Sequence, residues 1–136
     1  MRRLHLALAL AAPAMIACTT TGALSSGGAP LTGQWGGPHV DLVLTGTGGT
    51  IAYDCAHGVL NAAVVPDAGG HFDVPGVHIR EHGGPVRIGE NADSVTARYS
   101  GQVNRDRMNF RVFAGPDTLG PFDVQLGAAP QLVRCL

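Results

Sequence analysis

Val40-Asp-Leu-Val-Leu-Thr-Gly-Thr-Gly-Gly-Thr-Ile-Ala-Tyr53-Asp-Cys55-Ala-His-Gly-Val-Leu60 is the stretch that decides the fold. Val40, Leu42 and Leu44 alternate with Asp41, Val43 and Thr45, the period of two expected of a strand with one buried face. Thr47-Gly48-Gly49 turns the chain, and Ile51 and Tyr53 alternate with Ala52 and Asp54. A tight break is then expected at Ala56-His57-Gly58, with Cys55 beside it and a second strand setting out.

The same period runs outward in both directions. Val59 to Val65 is an apolar run broken only by Asn61, ended by the turn residues Pro66-Asp67-Ala68-Gly69-Gly70. Phe72 and Val74, then Val77 and Ile79, read as a strand interrupted at Pro75-Gly76. Val95, Ala97 and Tyr99 form one further apolar face, and Met108, Phe110 and Val112 another. Phe122, Val124 and Leu126 make a third, and Gln131 to Leu136 closes the chain. No segment carries a helical stripe. The expectation is an all-β domain, a small antiparallel up-and-down barrel of about eight strands. A barrel of that size has an interior just wide enough to be filled by side chains or to hold one small ligand.

The N-terminus addresses the chain. Met1-Arg2-Arg3 is a basic start, and Leu4 to Ala12 is apolar apart from His5. That run is too short to span a bilayer of about 30 Å, so it reads as an export signal. Two cleavage readings compete. Ala12-Pro13-Ala14 has the small-x-small form of an ordinary signal-peptidase site. Met15-Ile16-Ala17-Cys18 resembles the bacterial lipobox, in which the cysteine is lipidated and becomes the new N-terminus. Cysteine parity favours the second. Three cysteines in an exported chain leave one over, and lipidation of Cys18 accounts for it, so that Cys55 and Cys135 are left to form a disulfide. Closing a loop of about 80 residues in this way stabilises by ~4 kcal/mol in the chain-entropy model. The expected organisation is a signal peptide over 1–17, a lipidated Thr-, Ser- and Gly-rich tether over 18–30, and a disulfide-closed barrel over 31–136. Thr19, rather than Asp, follows the cysteine, and the resemblance to lipoproteins of two-membrane bacteria then implies a lipid anchor on Cys18 in the outer membrane, with the domain facing the periplasm.

Charge narrows the partners. The chain has no lysine and nine arginines, and without Arg2 and Arg3 seven arginines face ten carboxylates, a net of −3. Nucleic acid is therefore not an expected partner, because it requires a basic face.

No catalytic signature is present: there is no Gly-x-Ser-x-Gly, P-loop or HExxH. A serine triad assembled from Ser94 or Ser100 with His57 and Asp54 has nothing to mark a strained nucleophile. His78-Ile-Arg-Glu81-His82 is the one dense cluster of ligand types. On a strand, His78, Arg80 and His82 would share a face, with the arginine standing between two ligands and repelling a metal. These residues are expected to be solvent-facing strand and loop groups, with no metal and no cofactor. Glu81 to Asp93 is the longest loop, and long loops on a rigid barrel carry binding. His78, Glu81, His82 and Arg87 are accordingly the candidate binding residues. Gly36-Gly37-Pro38-His39 and Gly83-Gly84-Pro85 repeat a turn tripeptide.

Three resemblances bear on fold and function. Leu31-Thr-Gly-Gln-Trp35 resembles the Gly-x-Trp that opens the first strand of lipocalin- and avidin-like barrels, where the tryptophan plugs one end. The Trp-Gly-Gly-x-His start at Trp35, the Tyr53-Asp-Cys-Ala-x-Gly58 hairpin and the terminal cysteine are similar to a family of small bacterial lipoproteins with no assigned activity. Tyr53-Asp-Cys55-Ala-His-Gly58 also resembles the Tyr-x-Cys-x-x-Gly opening of membrane-bound inhibitors of c-type lysozyme. Those are lipoproteins with small barrels and a disulfide to a late cysteine, and Ser94-Val-Thr-Ala-Arg-Tyr99 is loosely similar to their Ser-Gly-x-x-Tyr segment. This chain departs from them in the region Leu31 to Thr50 and in having no lysine to insert into a lysozyme cleft. The function expected is a non-enzymatic envelope lipoprotein domain with a binding or structural role. The alternatives are an inhibitor of a cell-wall hydrolase or protease, and a calycin-like carrier of a small ligand.

Overall fold

The computed structural model describes residues 27–85, 87–90 and 92–133. The stretch read as an export signal, Cys18 and Cys135 lie outside them. Eight strands follow one another around a closed barrel: β1 (Gly33–Gly37), β2 (Val40–Thr45), β3 (Gly48–Tyr53), β4 (Ala56–Leu60), β5 (His71–Arg80), β6 (Asp93–Asn104), β7 (Arg107–Ala114) and β8 (Asp117–Leu126). Every neighbouring pair is antiparallel, and β8 returns to β1 through Trp35 opposite Leu126 and Gly36 opposite Gln125. The all-β meander expected from the period of two is the fold observed.

Alternation decides what goes inside. Trp35, Val40, Leu42, Leu44, Ile51, Tyr53, Val74, Tyr99, Phe110 and Val112 point inward and pack as one buried cluster. Glycine makes room for the largest of them. A Cβ on Gly58 would lie 2.2 Å from the Tyr99 hydroxyl oxygen, and one on Gly76 would lie 2.6 Å from Tyr99 Cε2. Tyr99 therefore lies over two bare strand positions, and its hydroxyl donates to the Val77 carbonyl at 2.9 Å.

Several local expectations need correction. The break is at Asp54-Cys55, and Ala56 already begins β4; Cys55 adopts a left-handed φ of 62°. The apolar run does not continue as strand beyond Leu60. Val64 instead folds into the core below the barrel, where its carbonyl accepts the Leu31 amide at 2.8 Å. Pro75-Gly76 does not interrupt β5, which pairs without a break from His71 to Arg80. Pro75 faces outward, and Gly76 is required by the ring of Tyr99. Leu126 stays half exposed, because it lies at the last rung of β8.

Gln131 to Val133 does not form a closing strand. From Gly127 the chain doubles back along the outside of β1 and runs parallel to it. Gly127 N–H donates to the Gln34 carbonyl, Gln131 N–H to the Gly37 carbonyl, and His39 N–H to the Gln131 carbonyl. This strap covers the two-rung seam between β8 and β1. It also explains Gly36: a Cβ there would lie 2.1 Å from the Ala128 carbonyl oxygen. Gly36 and Gly37 are thus strand residues kept bare by what crosses them, and the turn itself is at Pro38-His39.

Candidate functional site

The two ends of the barrel differ. At one end lie the short β2–β3 and β6–β7 turns and the segment leading into β1, where Gly28 N–H donates to the Pro66 carbonyl at 3.0 Å. At the other lie the Asp54-Cys55 turn, the β7–β8 turn, the end of the strap and the long connection from Glu81 to Ala92. This second end gathers most of the charged contacts of the domain.

Arg80 fastens the foot of the long loop. It is the last residue of β5, at the barrel mouth, and it reaches Asp117 at 2.5 Å and Asp93 at 3.4 Å. Two carboxylates hold its guanidinium above the usual arginine range. Glu81 N–H donates to the Cys55 carbonyl, and the Glu81 carboxylate meets His57 Nδ1 at 2.6 Å. Within the loop, Glu90 is the organising group. It accepts the Arg87 amide at 3.0 Å and lies 2.6 Å from His82 Nε2. The Glu90 amide returns to the Arg87 carbonyl, and Gly89 has φ 85°, the geometry of a type II turn with glycine at its third position. That turn leaves Ile88 fully exposed at the tip. Among the described residues, Arg87 beside it has no carboxylate within ion-pair distance.

The candidate residues do not converge. His78 faces inward and is almost wholly buried, contrary to the expectation that it meets solvent. Its Nδ1 has no hydrogen-bond partner, and its ring leans on Tyr53 at 5.6 Å between centroids. Burial first, then the nearby Arg80 and His57, lower its pKa and favour the neutral imidazole. Glu81 and His82 sit at the loop base with separate partners, and Arg87 sits at the tip. His78, Arg80 and His82 therefore share no ligating face: one is inside, one is locked in an ion pair, and one lies beyond the strand. No group of three metal-ligand side chains occurs among the described residues. The triad residues are also apart, since His57 bonds Glu81 and Asp54 bonds His39.

A cleft of about 570 Å³ opens between the loop base, the Cys55 turn and the strap, lined in part by Ala52, Glu81, His82, Pro130 and Leu132. Sequence reasoning missed the strap side of this cleft, because Gly127 to Val133 carries no periodicity. The His39–Asp54 contact was equally hidden. Its one signal is a histidine in a left-handed conformation (φ 64°) after a proline, which sequence does not display. No family model, curated protein or solved structure matches the chain.

Proposed function

We propose that this chain is a non-enzymatic cell-envelope lipoprotein domain, anchored through lipid on Cys18, which binds a protein partner through the Glu81–Ala92 end of its barrel. The observation that carries this reading is the opposite placement of chain entry and long loop. Gly27 to Leu31 joins the barrel beside Val64 to Pro66, while the loop and the cleft beside it lie at the far end. A tether leading to a membrane would then hold the loop away from the bilayer, where a partner can reach it. The Cys55–Cys135 disulfide belongs to the same reading. It is supported by the strap, which brings Val133 to the Asp54 side chain next to Cys55.

A second reading, an inhibitor of a cell-wall hydrolase or protease, draws support from the loop tip. Arg87 and Ile88 stand on a turn already organised by Glu90, so little ordering would be left to bear on docking. The carrier reading is the weakest of the three, because the inward side chains pack together as one cluster.

Intact mass of the chain extracted from its native membrane, with and without reduction, tests the anchor and the bond together. A diacylglyceryl addition on Cys18 and a gain of two protons on reduction are expected. An unmodified chain beginning at Met15 would remove the anchor. For the inhibitor reading, titration of c-type lysozyme activity with the wild type and with Arg87→Glu is the check, and no inhibition by the wild type would dismiss that enzyme as the target.

A further inference from the structure

A groove runs down one flank of the barrel, along the direction of β7. Arg107, Asn109, Arg111 and Phe113 are the outward residues of that strand, alternating with the buried Met108, Phe110, Val112 and Ala114. At about 3.3 Å per residue they extend over roughly 20 Å. Two clefts open along this line. One, of about 540 Å³, lies between the strap and β6 to β8, with Asn104, Arg107, Gln125 and Gln131 in its walls. The other, of about 500 Å³, holds Asp73, Ser100, Arg111 and Phe113. Gln102 and Asn109 line both, so the two clefts share a floor. The groove follows the strand, and the curvature of the barrel around its circumference does not interrupt it.

We infer that this groove binds an oligosaccharide, a linear ligand of uncharged, hydroxyl-rich rings. The argument rests on the kind of polar group that lines it. Three side-chain amides are each held by a hydrogen bond of their own. Asn109 Nδ2 donates to Asp123 Oδ1 at 2.7 Å, Gln102 Nε2 to the Gly69 carbonyl at 2.9 Å, and Gln125 Nε2 to Asp106 Oδ2 at 3.1 Å. Each keeps an acceptor oxygen and a second N–H, and a hydroxyl, itself both donor and acceptor, satisfies either. Side chains already held in this way lose little freedom when a ligand docks. Among the described residues, Arg107 and Arg111 have no carboxylate within ion-pair distance and add two forks of donors.

Charge and one aromatic ring narrow the ligand further. Arg107 and Arg111, with Arg98 on Asp73, stand among three carboxylates, Asp67, Asp73 and Asp123. A surface with no net sign does not favour a polyanion. Phe113 supplies an apolar platform. It is 44% exposed, and it is the one exposed aromatic ring among the described residues. The C–H face of a sugar ring laid on it would cover that apolar area while the ring's hydroxyls reach the amides on either side. The groove lies on the flank of the barrel, and its occupancy does not depend on the partner proposed for the Glu81–Ala92 end.

The test uses the mature chain with Cys18→Ser, so that no lipid contributes. It is titrated separately with chitotetraose and cellotetraose up to millimolar concentration, a range covering weak association, and followed by amide NMR shifts. Shifts are expected at the side-chain amides of Gln102, Asn109 and Gln125 and along the backbone from Arg107 to Phe113. Phe113→Ala and Asn109→Ala should each weaken binding by about fivefold or more. Thr50→Ala, on β3 across the barrel, should leave it unchanged. Thermal melting checks that all three variants are folded. Cellotetraose offers hydroxyls alone and chitotetraose adds acetamido groups, so the tighter of the two identifies what the amides read. The absence of shifts with either sugar overturns the inference. So do shifts that gather outside the groove, or binding that either Phe113→Ala or Asn109→Ala leaves at wild-type strength.

Discussion

The amide of Val133 donates to Asp54 Oδ1 at 2.6 Å across 79 residues of chain, and the other carboxylate oxygen of Asp54 holds His39. One side chain thereby pins the end of the strap to two turns, β1–β2 and β3–β4. The hydrogen bond from Val133 has the largest effect and lowers the Asp54 pKa; desolvation opposes it, and the His39 contact lowers it further. A depressed carboxyl stabilises the folded form above its unfolded value of 3.8, and that contribution is lost as pH falls from there through the folded value. Asp54→Ala is therefore expected to speed hydrogen exchange at the Val133 amide at neutral pH. Strand amides of β5 to β7 should keep their protection. Unchanged exchange at Val133 would mean that the strap is held by other contacts.

Gly58 and Tyr99 are a size-matched pair. A methyl group on Gly58 would meet the Tyr99 hydroxyl at 2.2 Å and the Val77 carbonyl oxygen at 2.6 Å. Gly58→Ala should destabilise by about 1–3 kcal/mol, the range for overpacked cores. Tyr99→Phe removes the clashing oxygen but also the 2.9 Å bond to Val77, at a cost of about 1 kcal/mol. The double variant should lose less than the sum of the two single variants, by about 0.5 kcal/mol or more, because they share one contact. Urea unfolding of all four proteins measures this. Strict additivity would show that the Tyr99 oxygen is not what limits a larger residue at position 58, leaving the Val77 carbonyl oxygen as the obstacle.

How far the sequence could be read follows from the same physics. The meander was legible because Val40, Leu42 and Leu44, or Met108, Phe110 and Val112, write their period directly into the chain. Glycines on the inner face, Gly58 and Gly76, were misread as punctuation. Their real partner is a tyrosine from a distant strand, and a bare position looks the same whether it bends the chain or admits a ring. The strap was invisible for a different reason. It is held by backbone hydrogen bonds to Gln34, Gly37 and His39, and these leave no side-chain signature. At the candidate site, the position of the loop was legible from Gly83-Gly84-Pro85 and the low apolar content. The pairing of His82 with Glu90 and of His57 with Glu81 depends on how the loop folds back, and spacing alone does not fix that.

His78 is a buried histidine whose pKa is lowered by desolvation and by Arg80. Below its ordinary value of 6.5 the unfolded chain takes up a proton that the folded chain resists, so stability falls as pH drops from about 6.5 toward 5. Phenylalanine has a similar shape, lacks the unpartnered Nδ1, and can keep the contact with Tyr53. His78→Phe should therefore flatten the dependence of the urea midpoint on pH between about 5 and 6.5, while leaving stability at pH 7.5 equal or higher. An equally steep dependence in the variant would assign it to another group.

The His82–Glu90 contact sets the conditions under which the loop tip holds its form. His82 is raised above 6.5, first by the Gly83 carbonyl and then by Glu90. Glu90 is lowered below 4.5, first by the Arg87 amide and then by His82. A raised histidine contributes fully below 6.5 and loses its contribution as pH rises through the folded value. A lowered glutamate contributes fully above 4.5 and loses it as pH falls through its folded value. Between about 4.5 and 6.5 both are in force, so the turn presenting Ile88 should be most ordered there. Amide exchange of Ile88 and Gly89, corrected for the intrinsic rate, should be slowest in that window and should rise on either side. Glu90→Gln keeps the size but removes the titrating carboxyl, and should abolish the rise at low pH and weaken the one at high pH while making exchange faster throughout. A protection profile that does not change with pH would show that the backbone bond between Glu90 and Arg87 maintains the turn unaided.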